Sequence, residues 1–399
     1  EMRIVYVLGT SPGGVGTHVR ALARDVAAAG HELGVIGPAS TDEHFGFTAL
    51  PGVRFAALDM GTGIGVRDAA LILRLRELIA GFDADIVHAH GFRAGFVALL
   101  SARTIRHSPR LIISLHNRAS GQGLRGRVET GIETLLAKGA DLILGASADL
   151  VVRSRELGAR DARFLPAAAP EVHDVPAAAA VATRAELAAE FGFGEDAVIV
   201  LSVGRIAPQK NYPMLVRALG HLGDAGPRGQ KSEQNPDQAS DRRTPELVFL
   251  IAGAADQTVL AEVRGQYEDL AATSAVPALH FLGPRDDIAA LNAAADIYVL
   301  TSVWEARALV LQEALISGRA IIATSTGGSR ELVGDAGLLI SDDDDTALAE
   351  AIAELAFDPA RRAELAARAQ ARGAQLPDER EVAKELMSIY TELMSAQVG

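Results

Sequence analysis

Residues 198–210 read VIVLSVGRIAPQK. Val198–Val203 is short, apolar but for Ser202, rich in β-branched residues, and ended by Gly204. That is the pattern of a strand buried on both faces, as in a parallel sheet. A short helix over Arg184–Phe191 precedes it. Strands then alternate with helical stretches at Leu247–Ala252, Leu279–Leu282, Ile297–Leu300, Ala320–Thr324 and Leu338–Ile340. The tail, Asp378–Met394, carries Val382, Leu386, Ile389 and Leu393 at helical spacing.

Upstream the same alternation has already run once. Strands are expected at Arg3–Leu8 (RIVYVL), Glu32–Ile36, Asp85–His88, Leu111–Leu115 and Leu142–Leu144. Helices are expected between them, one with Val19, Leu22, Ala23 and Val26 on its apolar stripe and another around Ala69–Ile79. The pattern lapses into Ala and Pro near Pro166–Pro176, the best linker candidate. Two successive doubly wound sheets are the simplest architecture. The expected domains are 2–175 and 176–376, followed by a tail helix at 377–399. A polar stretch between Gly223 and Glu246 reads as a mobile surface insertion.

Composition narrows the function. At 399 residues the chain is too long for one ordinary core, and 49% hydrophobic with 22% charged residues is the profile of an α/β enzyme. With no cysteine, thiol catalysis and cysteine-ligated metals are excluded. A net charge of −13 argues against nucleic acid as a partner. No signal peptide or membrane-spanning run is visible, and Glu1, before Met2, reads as extraneous. A cytoplasmic protein is the expectation. From Gly91 to Thr130, however, seven arginines (Arg93, Arg103, Arg106, Arg110, Arg118, Arg125, Arg127) face a single acid, Glu129. This is either a solvated face or a patch for an anionic acceptor or the inner face of a membrane.

Ligands of open parallel sheets bind beyond the carboxyl ends of the strands, and two such sheets facing each other would form a cleft. The unusual residues lie at these strand ends. After the first strand, Ser11–Thr17 (SPGGVGT) brings Gly13, Gly14 and Gly16 before a helix, either an anion cradle or a tight turn. It lacks the G-x-G-x-x-G spacing of dinucleotide folds, and HELGVIGP lacks the acid that would hold an NAD ribose. His88 and His90 end the DIVHAH strand. Side-chain alternation is taken to turn one inward, His88 to the core, and to leave His90 to contact a substrate hydroxyl. His116, after LIISL, is a weaker candidate, with Arg118 near it. No metal-ligand spacing is present.

In the second half, Arg205 and Lys210 place two cations near a strand end, suited to a diphosphate or else merely on the surface. Glu305 lies in the loop Trp304–Leu309 (WEARAL), and Glu313 stands about a turn and a half inside a helix starting near Ala308. At ~1.5 Å rise per residue the two backbones are roughly 10 Å apart, close to the separation of hexose and ribose in a nucleotide sugar. The helix N-terminus between them would meet the phosphates. Two acidic features read as structural: Asp83-Ala84-Asp85 precedes a strand and so sits at the wrong end of the sheet, and Asp342–Asp345 caps the helix that follows.

In this order and spacing, the PGGVGTHV loop, DIVHAH, VGRIAPQK, FLGPRDDI–AADIYVLTS, EARALVLQE and TSTGGSRELV resemble the retaining glycosyltransferases of the GT-B family 4 over nearly the whole chain. The resemblance implies two Rossmann-like domains facing across a cleft, the tail helix crossing back to the first. It implies that Gly14, with Gly13 and Gly16, approaches the donor diphosphate, which Arg205 and Lys210 bind. Arg285 would lie near the nucleotide. Glu305 would hold the transferred sugar, Glu313 the ribose, and His90 the sugar near its reacting carbon. No cofactor or divalent metal is implied beyond the nucleoside-diphosphate sugar itself. The acceptor would be a sugar, a lipid-linked sugar or a small molecule, with peripheral membrane contact allowed through the first domain.

The chain departs from the family at Ala306-Arg307, where Gly-Phe is frequent. Backbone N–H groups from Ala306 through Arg307, Ala308 and Leu309 can still meet phosphate or sugar, but Arg307 adds charge and bulk. Arg319-Ala320 is a second departure, with no interpretation. Three other functions compete: a nucleotide-sugar epimerase or sugar-phosphate synthase on the same fold, a dinucleotide oxidoreductase, and a non-catalytic two-lobed sugar-binding protein.

Overall fold

RIVYVL at Arg3–Leu8 forms β1, buried from Ile4 to Leu8, as a strand covered on both faces requires. The structure is a computed structural model describing residues 1–10, 14–61, 63, 65, 67–119, 121–223 and 245–396. The first sheet adds β2 (Glu32–Gly37), β3 (Val53–Ala57), β4 (Ile86–His90), β5 (Arg110–Leu115), β6 (Leu142–Gly145) and β7 (Ala162–Phe164). Its seven strands run parallel in the order β3-β2-β1-β4-β5-β6-β7. The edge strands β3 and β7 were not legible in the sequence, because Arg54 and Arg163 interrupt them and leave no continuous apolar run.

The second sheet holds β8 (Val198–Val203), β9 (Leu247–Ala252), β10 (Ala278–Gly283), β11 (Ile297–Leu300), β12 (Ala320–Thr324) and β13 (Gly337–Ile340). Its six parallel strands follow the order β10-β9-β8-β11-β12-β13. In each sheet the order reverses beside the first strand, at β1/β4 and at β8/β11. These are the switch points where the crossing helices part and leave room for a ligand. The polar stretch at 224–244 lies outside the described residues.

The chain divides into two compact units, Glu1–Ala169 with Pro377–Gly399 and Pro170–Leu376. The C-terminal helix, Glu379–Ser395, therefore belongs with the first sheet. It starts at a capping box, Asp378 accepting from Glu381 N (2.8 Å) and Glu381 from Asp378 N (2.9 Å). Val382, Leu386 and Ile389 bury its apolar stripe in the core that also holds Tyr6 and Val19. Each such burial stabilises by roughly 1.5–3 kcal/mol. Arg24, on the first helix, fastens the helix start through Glu379 at 2.9 Å.

Asp83 and Asp85 are structural. Arg3 pairs with both, and Asp85 also accepts from Arg3 N at 2.7 Å, joining the amino ends of β1 and β4. Asp344 caps the helix Asp345–Phe357 by accepting from Ala347 N at 2.9 Å.

Candidate functional site

In the second unit the loops after β8 and β11 are laced together. Val303 N donates to Gln209 O (2.9 Å), Gln209 Nε2 to Trp304 O (3.0 Å) and Thr301 Oγ1 to Lys210 O (2.7 Å). The side chains meet as well. Lys210 Nζ lies 2.5 Å from Glu305 Oε1, and Ser302 Oγ donates to the same oxygen at 2.8 Å. Glu305 is buried, at 9% exposure, so its carboxylate needs these donors. Arg205, by contrast, is exposed.

The Glu305 loop is held from below. Its carbonyl accepts from Gly328 N at 2.8 Å, and Gly327 adopts φ +52° against it. A Cβ at Gly327 would fall 2.1 Å from Glu305 O and 2.6 Å from Trp304 Nε1, so only glycine fits. The helix Leu309–Ile316 follows, with Ala308 at its N-cap making no side-chain cap hydrogen bond. Its first N–H groups thus have no capping side chain and face outward from the helix start. Glu313 lies on this helix, half-buried, and burial raises its carboxyl above the usual range.

Ala306 is buried in this loop. Arg307 is half-buried; burial lowers its pKa, the carboxylate of Glu331 opposes that, and Arg372 adds to it. Arg285 makes a two-pronged pair with Asp287, at 2.7 and 2.6 Å. Arg319 donates to Ser317 O (3.1 Å) and Ala295 O (2.5 Å), which gives that departure a structural role, tying the start of β12 to β11.

In the first unit, His88 and His90 do not divide between faces. Period-two alternation puts residues two apart on the same side, and the two rings stack at 4.2 Å with 26° between planes. Both are buried. His116 faces His90 at 6.1 Å, and His18 meets His116 edge-on at 5.7 Å. Burial keeps all four neutral, pushing His18 and His88 down to about 3, His116 to about 4, and His90 well below its ordinary value. Among the described residues, neither ring nitrogen of His90 finds a hydrogen-bond partner, nor do Nδ1 of His18 and Nε2 of His116. His18 escaped the sequence reading although its spacing from Leu22, four residues on, was a signal that it shares the buried stripe.

Gly14 is the exposed first residue of the helix Gly14–Ala28. Gly16 has a packing reason: a Cβ there would lie 2.1 Å from the Phe45 ring. Gly13 lies outside the described residues. Of the arginine-rich window, Arg93 is committed to Asp68 (2.5 Å) and Met60 O (2.7 Å), and Arg110 to Asp141 (3.4 Å). Arg106, Arg118, Arg125 and Arg127 are exposed, Arg125 pairing with Glu129 at 2.9 Å. The last two lie on the helix Gly123–Gly139, which also exposes Leu124 (79%), Val128 (54%) and Leu135 (44%).

Among the described residues no group of three or more His, Cys, Asp or Glu is placed to hold a metal ion, and no helix is long and apolar enough to cross a membrane.

Comparison with known proteins adds the family. The pattern described as "Glycosyl transferases group 1" matches residues 183–372, and that of the "Glycosyl transferase 4-like domain" matches residues 13–168. The phosphatidyl-myo-inositol mannosyltransferase of Mycolicibacterium smegmatis is 27% identical, over 97% of this chain and 92% of its own length. The D-inositol 3-phosphate glycosyltransferase of Salinispora tropica is 26% identical, over 96% of this chain and 82% of its own. The crystal structure of Anabaena Alr3699/HepE in complex with UDP and glucose superposes with a TM-score of 0.73 at 19% identity, covering 98% of this chain and 100% of the other.

Proposed function

Because the chain belongs to the GT-B glycosyltransferases of family 4, we propose that it transfers a sugar from a nucleoside diphosphate to a hydroxyl acceptor, with retention and without a divalent metal. The observation that carries this reading is the Lys210–Glu305–Ser302 constellation at the uncapped start of the helix bearing Glu313. Lys210, Arg205 and the N–H groups of that helix start would hold the diphosphate and neutralise the charge that builds on it as the glycosidic bond breaks. Glu305 would accept hydrogen bonds from sugar hydroxyls, and Glu313 from the ribose diol.

In the first unit, His90 would hydrogen-bond the sugar near its reacting carbon. A neutral ring serves there, since it accepts or donates a hydrogen bond without carrying charge. The incoming hydroxyl would attack on the face from which the diphosphate leaves. Its proton passes to a departing phosphate oxygen, so charge and atoms balance without a protein base. Arg285 and Arg307 are internally engaged in the structure, so the donor reading rests on them less than on Lys210 and Glu305.

The acceptor reading is an anionic or lipid-linked molecule. It is supported by the exposed helix Gly123–Gly139, where Arg125 and Arg127 flank Leu124 and Val128, a combination that suits an anionic membrane surface. The names of the two curated relatives, which act on phosphatidyl-myo-inositol and inositol 3-phosphate, point the same way. A nucleotide-sugar epimerase on the same fold is separated by the products.

The deciding experiment incubates the chain with UDP-, GDP- and ADP-sugars, with and without phosphoinositide and inositol-phosphate acceptors. Acceptor-dependent release of the nucleoside diphosphate, lost in Glu305→Ala, supports the reading. A rearranged nucleotide sugar formed without acceptor would replace it with the epimerase.

A further inference from the structure

The His90 ring is held by no hydrogen bond among the described residues. It is 6% exposed, and neither ring nitrogen has a partner among the described residues. What orients it is packing: the stack on His88 at 4.2 Å, the edge of Tyr6 at 5.3 Å, 70° from its plane, and His116 facing it at 6.1 Å. A ring fixed only by packing is as well placed as the groups it packs on.

His88 is the opposite case. Its Nδ1 lies 2.6 Å from Tyr390 Oη and its Nε2 2.7 Å from Ser114 Oγ, so both nitrogens are engaged. Tyr390 in turn donates to Tyr6 Oη at 3.2 Å. With that direction, Tyr390 accepts from His88 Nδ1–H, and His88 Nε2 accepts from Ser114 Oγ–H. Reversing every donor gives the other tautomer with the same two contacts. Tyr390 comes from the C-terminal helix, 302 residues away in sequence, and is fully buried. It is the only C-terminal-helix residue bonded to His88 among the described residues.

We infer that Tyr390 is a positioning residue for the transfer: through its hydrogen bond to His88 it fixes the ring on which His90 stacks. The C-terminal helix thereby does more than close the core. It carries the link between Tyr6 and His88 in a chain of hydrogen bonds, Tyr6–Tyr390–His88–Ser114, that joins β1, β4 and β5. The inference rests on the reading of His90 as a sugar contact.

The test uses the full-length chain as parent, Tyr390→Phe, His90→Ala and the double variant, with kcat, donor affinity by equilibrium binding of the nucleoside diphosphate, and thermal stability measured for each. Tyr390→Phe keeps the ring and removes only the hydroxyl. We expect kcat to fall about ten- to a hundredfold with nucleoside-diphosphate affinity unchanged, since a small misplacement of a contact group costs that much. Added to His90→Ala, it should cost no more than His90→Ala alone, because both act through one ring. If Tyr390→Phe unfolds the chain, Ser114→Ala removes the other anchor of His88 and must show the same kcat loss and the same non-additivity. Full additivity with His90→Ala, or an unchanged kcat beside a His90→Ala variant that is impaired, overturns the positioning role alone. A His90→Ala variant as active as the parent overturns the His90 reading and this inference with it.

Discussion

Lys210 Nζ lies 2.5 Å from Glu305 Oε1, and the two residues reach each other from loops that follow different strands, β8 and β11. Both are largely buried, with side chains 15% and 12% exposed. A buried pair of this kind is a weak stabiliser, because desolvation offsets the attraction. Its value is in geometry: it keeps a cation and a carboxylate at the start of one helix before any ligand arrives.

Removing the cations should weaken the diphosphate specifically. Lys210→Ala and Arg205→Ala are each expected to lower nucleoside-diphosphate affinity about ten- to a hundredfold, the worth of a charge-assisted hydrogen bond. Lys210→Ala also strands Glu305, so its loss should be the larger. Titration calorimetry with the free nucleoside diphosphate reads both, and addition of EDTA is expected to leave the affinity unchanged.

The two glutamates should separate by ligand. Glu313→Gln is expected to weaken the free nucleoside diphosphate and the sugar donor alike. Glu305→Gln should spare the free diphosphate and reduce kcat about 10²- to 10³-fold, comparable with losing one donor from a transition-state site. Equal effects of both variants on both ligands would contradict the division.

Gly327→Ala is a structural test of the same loop. With φ at +52° and the Glu305 carbonyl 2.1 Å from the new Cβ, the loop must move. A destabilisation of about 1–3 kcal/mol is expected, read as a lower urea midpoint, together with loss of transfer.

The first unit should be acid-sensitive. His18, His88, His90 and His116 are held below their ordinary pKa by burial, so in the folded state they stay neutral down to about pH 4. The unfolded chain protonates them near pH 6.5, and so binds more protons than the folded one below that value. Stability is therefore intact above pH 6.5 and falls as pH drops, by on the order of 1.4 kcal/mol per pH unit for each histidine. Urea midpoints between pH 7.5 and 5 check this, and His116→Gln should flatten the slope.

Much of this was legible in the sequence because buried parallel strands are continuous apolar runs: VIVLSV, LVFLIA and RIVYVL each became a strand with the bounds read from them. The position of Glu305 before a helix and of Glu313 within it followed from the same periodicity. The histidine cluster did not follow, since it joins residues from the first helix, β4 and the loop after β5, whose proximity is set by sheet order. Reading His88 and His90 as opposed faces misapplied alternation, which sends neighbours apart and residues two apart together. Nothing in the local sequence of Tyr390 distinguished it from an ordinary residue of an amphipathic stripe.

Arg125 and Arg127 carry the membrane reading. Reversing both to Glu is expected to abolish binding to vesicles containing anionic phospholipid and to leave nucleoside-diphosphate affinity as it was. Equal vesicle binding by parent and variant would remove the membrane from the account.

The donor site is tested by a thermal-shift titration of the full chain, and of Lys210→Ala and Glu313→Gln, with UDP, GDP, ADP and their sugars. One nucleoside-diphosphate series is expected to raise the parent's Tm by mass action, at 100 times Kd by the equivalent of about 2.7 kcal/mol, and the shift to shrink in both variants. No shift with any series, or a shift that both variants retain in full, would contradict it.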